Sequence, residues 1–146
     1  MRREPIFNLP ALIPILIALF ALVELVLGYL GPEAASDIYL SFGFIPADLA
    51  NHFGSDVFRT LEEASHLKPD SEELAGFAEI AAYLRVHPSA LPFSLISYAF
   101  LHAGWPHLII NSVWLMAFGS VVLRRIGAIR FLALFALSSV GAALFH

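Results

Sequence analysis

The sequence predicts an all-α protein, a polytopic transmembrane helix bundle with three spans present. Three observations carry that expectation. The chain has 146 residues, 59% hydrophobic and 14% charged, whereas a soluble domain has about 45–50% apolar and about 25% charged residues. The apolar excess falls in blocks, at 12–30, 108–123 and 131–145. The charges are segregated as well: ten of the twelve acids lie between Gly31 and Pro106, opposed there only by Arg59, Lys68 and Arg85.

The first block is apolar or small throughout except for Glu24, and it reaches the roughly 20 residues that a bilayer-crossing helix needs. The other two qualify once flanking residues such as Trp105, Gly127 and Ala128 are counted. Pro10 and Pro14 stand at the start of the first block, where proline costs a helix least, and Gly31-Pro32 ends it. Arg2 and Arg3 precede it, and Arg124, Arg125 and Arg130 separate the second block from the third. Basic residues keep to the cytoplasmic side of short loops. The N-terminus and the 124–130 turn are therefore expected in the cytoplasm, and the acidic loop outside it. A cleaved signal peptide is the competing reading of the start, but its apolar core runs about 7–15 residues, so an uncleaved span is expected.

The chain divides into an N-terminal tail and first span (1–31), a long loop (32–104), and the second and third spans (105–146). Within the loop, residues 38–46 are too apolar to be simply solvated and suit a membrane interface. Residues 51–87 differ in kind. Val57, Phe58 and Leu61, then Leu74, Phe77, Ile80, Ala81 and Leu84, recur near helical spacing and predict two short amphipathic helices. The second is expected to start at Asp70-Ser71-Glu72-Glu73, with Asp as its cap. The stretch from Pro88 to Tyr98 leads back to the membrane, and the next helix is expected to begin at Trp105-Pro106. Small residues on the last two spans, Gly119 and Ser120, then Ser138, Ser139, Gly141 and Ala142, allow close helix packing inside a larger bundle.

There are no cysteines, which excludes disulfides, thiolate metal sites and a cysteine nucleophile. Among candidate functional residues, His102, His107 and Asn111 stand out, because polar side chains are expensive inside a bilayer. On a helix beginning near Pro106, His107 and Asn111 lie four apart on one face, and His102 lies in a loop able to fold back beside His107. Imidazole and carboxamide N–H groups so placed can stabilise a developing oxyanion. The same residues also suit a plainer role, with the histidines and Trp105 as interfacial anchors and Asn111 as a helix–helix hydrogen bonder. A metal site fits less well. The histidines are five apart across a helix start, not at the i, i+4 spacing of H-E-x-x-H, and no carboxylate joins them. Glu24 is a candidate by default, although its place in the outer third of the span lets it reach toward water.

The stretch Ile96-Ser97-Tyr98-Ala99-Phe100-Leu101-His102-Ala103-Gly104-Trp105-Pro106-His107-Leu108-Ile109-Ile110-Asn111 resembles the signature that opens the second span of rhomboid intramembrane serine proteases. Trp114, Phe118-Gly119, the basic turn with Gly127, Arg130 and Phe131-Leu132, and Phe42-Gly43-Phe44-Ile45-Pro46 are similar too. The resemblance covers about 39–46 and 91–146. It implies that His107 and Asn111 are oxyanion-hole donors in peptide-bond hydrolysis and that His102 supports the loop. It also implies that the Ser-His dyad belongs to later spans, so the chain is expected to be an N-terminal fragment, inactive alone. No serine present (Ser112, Ser120, Ser138, Ser139) lies in a Gly-x-Ser-Gly motif, and His146 is not expected to be the base. Two features depart from the family: the 51–87 insertion, and Leu123 where an acid is frequent.

The implied partners are the lipid bilayer and transmembrane protein substrates or clients, not nucleic acid. No cofactor or metal is implied, and the plasma (inner) membrane is the expected location. Two other readings stay open: an inactive rhomboid-like protein that binds transmembrane clients, and a generic small membrane subunit with an acidic outer domain.

Overall fold

The fold is all-α, and it was obtained as a computed structural model that describes residues 9–68, 70–87 and 91–145. Arg2 and Arg3, Pro88 and His146, which figure in the sequence reading, lie outside the described residues. Helix α1 (Leu12–Leu30) is the first apolar block, with Pro14 in its first turn, where no backbone hydrogen bond is lost. At Gly31 the chain turns directly into α2 (Pro32–Phe42), and α3 (Pro46–His52) follows after a short corner. The apolar 38–46 stretch is therefore the second half of a helix and the corner after it.

The insertion forms α4 (Val57–Leu67) and α5 (Glu72–Val86), the two helices expected from its periodicity. They pack as a hairpin around Phe58, Ala81 and Leu84, with Ile45 and Ala47 closing one side. Ser71, not Asp70, caps α5: its hydroxyl accepts the Leu74 N–H at 3.4 Å, while Glu72 and Glu73 occupy the first turn. Arg85 pairs with Glu62 across the hairpin at 3.1 Å, an exposed pair of the kind that contributes at most about 1 kcal/mol.

A short helix, α6 (Ser94–Ser97), and one 3₁₀ turn lead into α7 (Trp105–Ile126), and α8 (Ala128–Leu144) completes the described chain. Gly127, at φ +82°, separates the last two helices alone; only glycine adopts that conformation without penalty. Inside α7, residues Leu115–Gly119 form a π-helical turn that the apolar pattern did not announce. Turns of this kind are rare and concentrate near functional sites.

Helices α1 and α7, of 19 and 22 residues, are long and apolar enough to cross a membrane. The most apolar stretch of each is only 28% buried, whereas the core helix of a soluble protein is mostly covered. Their outward faces present Ile15, Leu19 and Leu22, and Ile109, Val113 and Phe118. The third apolar block forms the shortest of the three long helices. Helix α8 has 17 residues, or roughly 25 Å at 1.5 Å per residue, short of a hydrocarbon core of about 30 Å. Among the described residues two helices reach membrane length, and α8 stands at the short end of the roughly 17–25 residues that span a bilayer.

The three long helices meet around Ile13, Leu16, Phe20, Leu108, Leu123 and Phe131. Leu123 is buried here, as part of this apolar contact. At Gly119 a β-carbon would lie 3.3 Å from Ile13 Cδ1 and 3.5 Å from Phe131 Cζ. The small residue thus sets how closely α7 approaches both neighbours.

Candidate functional site

The site lies where the chain turns into α7. Gly104, at φ +100°, makes that turn, and Trp105, Pro106 and His107 form the first helical turn. A helix N-terminus carries unpaired N–H groups and a partial positive charge, so the residues around His107 sit in a field that favours an anion.

The structure brings His102 back beside His107, their rings 5.5 Å apart and edge to face. His102 is 3% exposed. Its ring packs on Phe20 of α1 at 5.2 Å, and its Nδ1 lies 3.2 Å from the Phe100 carbonyl. A carbonyl only accepts, so Nδ1 carries the proton. The backbone of the turn is held from outside: the Tyr39 hydroxyl of α2 donates to the His102 carbonyl at 2.6 Å. Burial, and then the charge of Glu24, raise the Tyr39 pKa, which keeps that donor protonated. Ser97 donates to the Phe42 carbonyl at 2.6 Å and Tyr98 to the Ser139 carbonyl of α8 at 2.7 Å. The approach to α7 is thereby tied to α2 and α8.

His107 is oriented differently. Its Nδ1 accepts the Ala103 N–H at 3.4 Å, which leaves the proton of the neutral ring on Nε2. His107 is exposed and Asn111, one turn further along the same face, is half-buried. Among the described residues neither His107 Nε2 nor the Asn111 carboxamide has a hydrogen-bond partner. Two donors with no internal partner therefore lie on one side of the first turns of α7. No described serine is hydrogen-bonded to either histidine. The Ser112 and Ser120 hydroxyls are buried without partners, and Ser139 donates to the Phe135 carbonyl at 3.0 Å.

Phe20, Glu24 and Leu27 share the inward face of α1, and one Glu24 carboxylate oxygen is fully buried without a partner. The side chain walls a pocket of about 430 Å³ with Tyr39, Ala103 and Gly104, behind the histidine turn. Tyr39 and Phe20 escaped the sequence reading, because a tyrosine in an apolar loop and a phenylalanine in an apolar span carry no distinguishing signal.

Burial lowers the His102 pKa below its ordinary 6.5, with the neighbouring His107 acting in the same direction, against the Phe100 carbonyl and Glu24. The unfolded chain therefore takes up this proton first as pH falls. The stability that neutral His102 contributes is present above about pH 7 and is lost as pH drops below about 6.5 toward the folded value. The thermal midpoint of the detergent-solubilised chain should fall between about pH 7 and about pH 5, and His102→Asn should flatten that slope. Equal slopes for the two proteins would contradict the assignment.

The family model described as the rhomboid domain matches residues 91–146. No curated protein and no solved structure matches the chain. The matched segment contains His102, His107 and Asn111 together with α7 and α8, so residues 91–146 are similar to a rhomboid domain.

Proposed function

We propose that this chain supplies the oxyanion-binding part of an intramembrane serine endopeptidase that cleaves membrane-protein substrates near or within the bilayer. His107 Nε2–H and the Asn111 carboxamide N–H hold the oxyanion of the tetrahedral intermediate, and His102 supports the turn that positions His107. The nucleophilic serine and its base come from a Ser-His pair outside residues 1–146. The observation that carries this reading is the Ala103 N–H donated to His107 Nδ1, since it leaves a donor, not a lone pair, at the free nitrogen. In this reading α8 is a third span, the N-terminus and the 124–130 turn are cytoplasmic, and the 32–104 loop is extracytoplasmic.

A second reading is favoured by one sequence fact: these 146 residues contain no Gly-x-Ser-Gly. In that case the chain binds transmembrane clients without cutting them. Co-expression separates the two. Residues 1–146 are produced with and without a rhomboid segment bearing the serine and histidine spans, and cleavage of a membrane-anchored reporter is followed. Cleavage that needs both halves is the expected result. Cleavage by residues 1–146 alone, abolished by His107→Ala, would show that the nucleophile lies within this chain. Reporter that co-purifies with the chain but is never cut would establish the client-binding reading instead.

A further inference from the structure

We propose that the trough between α2 and the α4–α5 hairpin is a docking site for a partner-protein segment that carries basic residues beside apolar ones. This site lies between α2 and the 51–87 insertion and does not depend on the oxyanion reading.

Its floor is a chamber of about 480 Å³ walled by Ile45, Val57, Leu61, Phe77, Ile80 and Leu84, with no charged side chain. Ligand pockets fall in the same range of roughly 300–1,000 Å³. The hairpin does not fill this space itself, and Phe77 and Ile80 remain 44% and 36% exposed. A second hollow of about 420 Å³ adjoins it, sharing Leu40 and Ile80, and is walled by Glu33, Asp37 and Glu79.

Charge decides what fits. Asp56 and Glu63 are paired with Arg59, and Glu62 with Arg85. Glu33, Asp37 and Glu79 have no ion-pair partner among the described residues. Three like charges around one hollow repel each other, and a cation entering it relieves that repulsion. The three do not converge closely enough to chelate a metal ion. Anionic amphiphiles are repelled at the mouth, and a purely polar cation leaves the chamber unfilled. A segment with apolar side chains in the chamber and Lys or Arg at the acidic mouth satisfies both halves. Tyr39 lines the chamber and also holds the His102 carbonyl, so a docked segment lies one side chain away from the histidine turn.

The test uses the 146-residue chain in phosphatidylcholine nanodiscs, with empty discs subtracted. The probe is a fluorescent synthetic peptide of alternating Leu and Lys, read by anisotropy. It should bind at least about tenfold more tightly than a peptide with Glu in place of Lys, or with Ser in place of Leu. Combining Glu33→Gln, Asp37→Asn and Glu79→Gln should weaken it about tenfold and flatten its salt dependence. Phe77→Asn should weaken it with the salt dependence intact. These are exposed positions, and unchanged helical circular dichroism controls for folding. Equal binding of the Glu peptide, or unaltered binding by the triple variant, overturns the proposal. An uncharged naphthylamine dye that displaces the peptide equally well at all salt concentrations also overturns it, assigning the chamber to hydrocarbon. Self-association of the chain that blocks the peptide overturns it in favour of a second copy.

Discussion

In a rhomboid protease assembled on this chain, His107→Ala is expected to lower kcat by about 10²–10³ while KM changes little. Loss of one oxyanion donor removes a hydrogen bond that strengthens as charge develops, so the effect falls on the transition state and not on substrate binding. In the proposed role the His107 ring needs no reorientation, because Ala103 holds Nδ1 and leaves Nε2–H uncommitted. Asn111→Ala is expected to cost a similar factor. The double variant should lose less than the product of the two, because both donors would serve one oxygen. Steady-state cleavage of a transmembrane reporter peptide measures all three. A loss confined to KM would assign His107 and Asn111 to substrate anchoring and defeat the oxyanion role.

The second large effect is on stability. Phe20→Ala is expected to destabilise the fold by about 2–4 kcal/mol. Phe20 is 4% exposed, and its ring centre lies 5.4 Å from that of Phe100, 5.2 Å from that of His102 and 6.4 Å from that of Phe135. In a water-soluble core such a truncation costs about 3–5 kcal/mol. Within a bilayer the water-transfer part falls away and lost packing remains, while each aromatic pair adds about 0.5–1.5 kcal/mol. Leu19→Ala, one residue away on the lipid-facing side and 42% exposed, should be near neutral. Unfolding in mixed micelles compares the two. Equal effects would mean that Phe20 is not the wedge between α1, the histidine turn and α8. Phe20→Ala should also loosen His102, and with it the acid sensitivity that His102 confers.

Residue order was enough to reveal the all-α class of the molecule and the residues that meet at its candidate site. Apolar blocks long enough to cross a bilayer, the periodicity of α4 and α5, and the four-residue spacing of His107 and Asn111 are local properties. Each depends on the 3.6-residue turn and on the cost of polar groups in lipid, so each can be read along the chain.

What only tertiary structure decided depends on contacts between distant residues, for which periodicity has no counterpart. Tyr39 reaches across 63 positions to the His102 carbonyl. Glu24 faces the rear of the histidine turn, because Phe20 and Leu27 on the same face are buried. Serine won the α5 cap over Asp70 because capping depends on the backbone angles at one residue, and neighbouring caps look equivalent in sequence. The π-helical turn at 115–119 was equally hidden, since apolar residues continue through both of its boundaries. The acidic mouth became meaningful only when folding placed Glu79 beside Glu33 and Asp37. A charge far along the chain does nothing until packing brings it within Coulomb range.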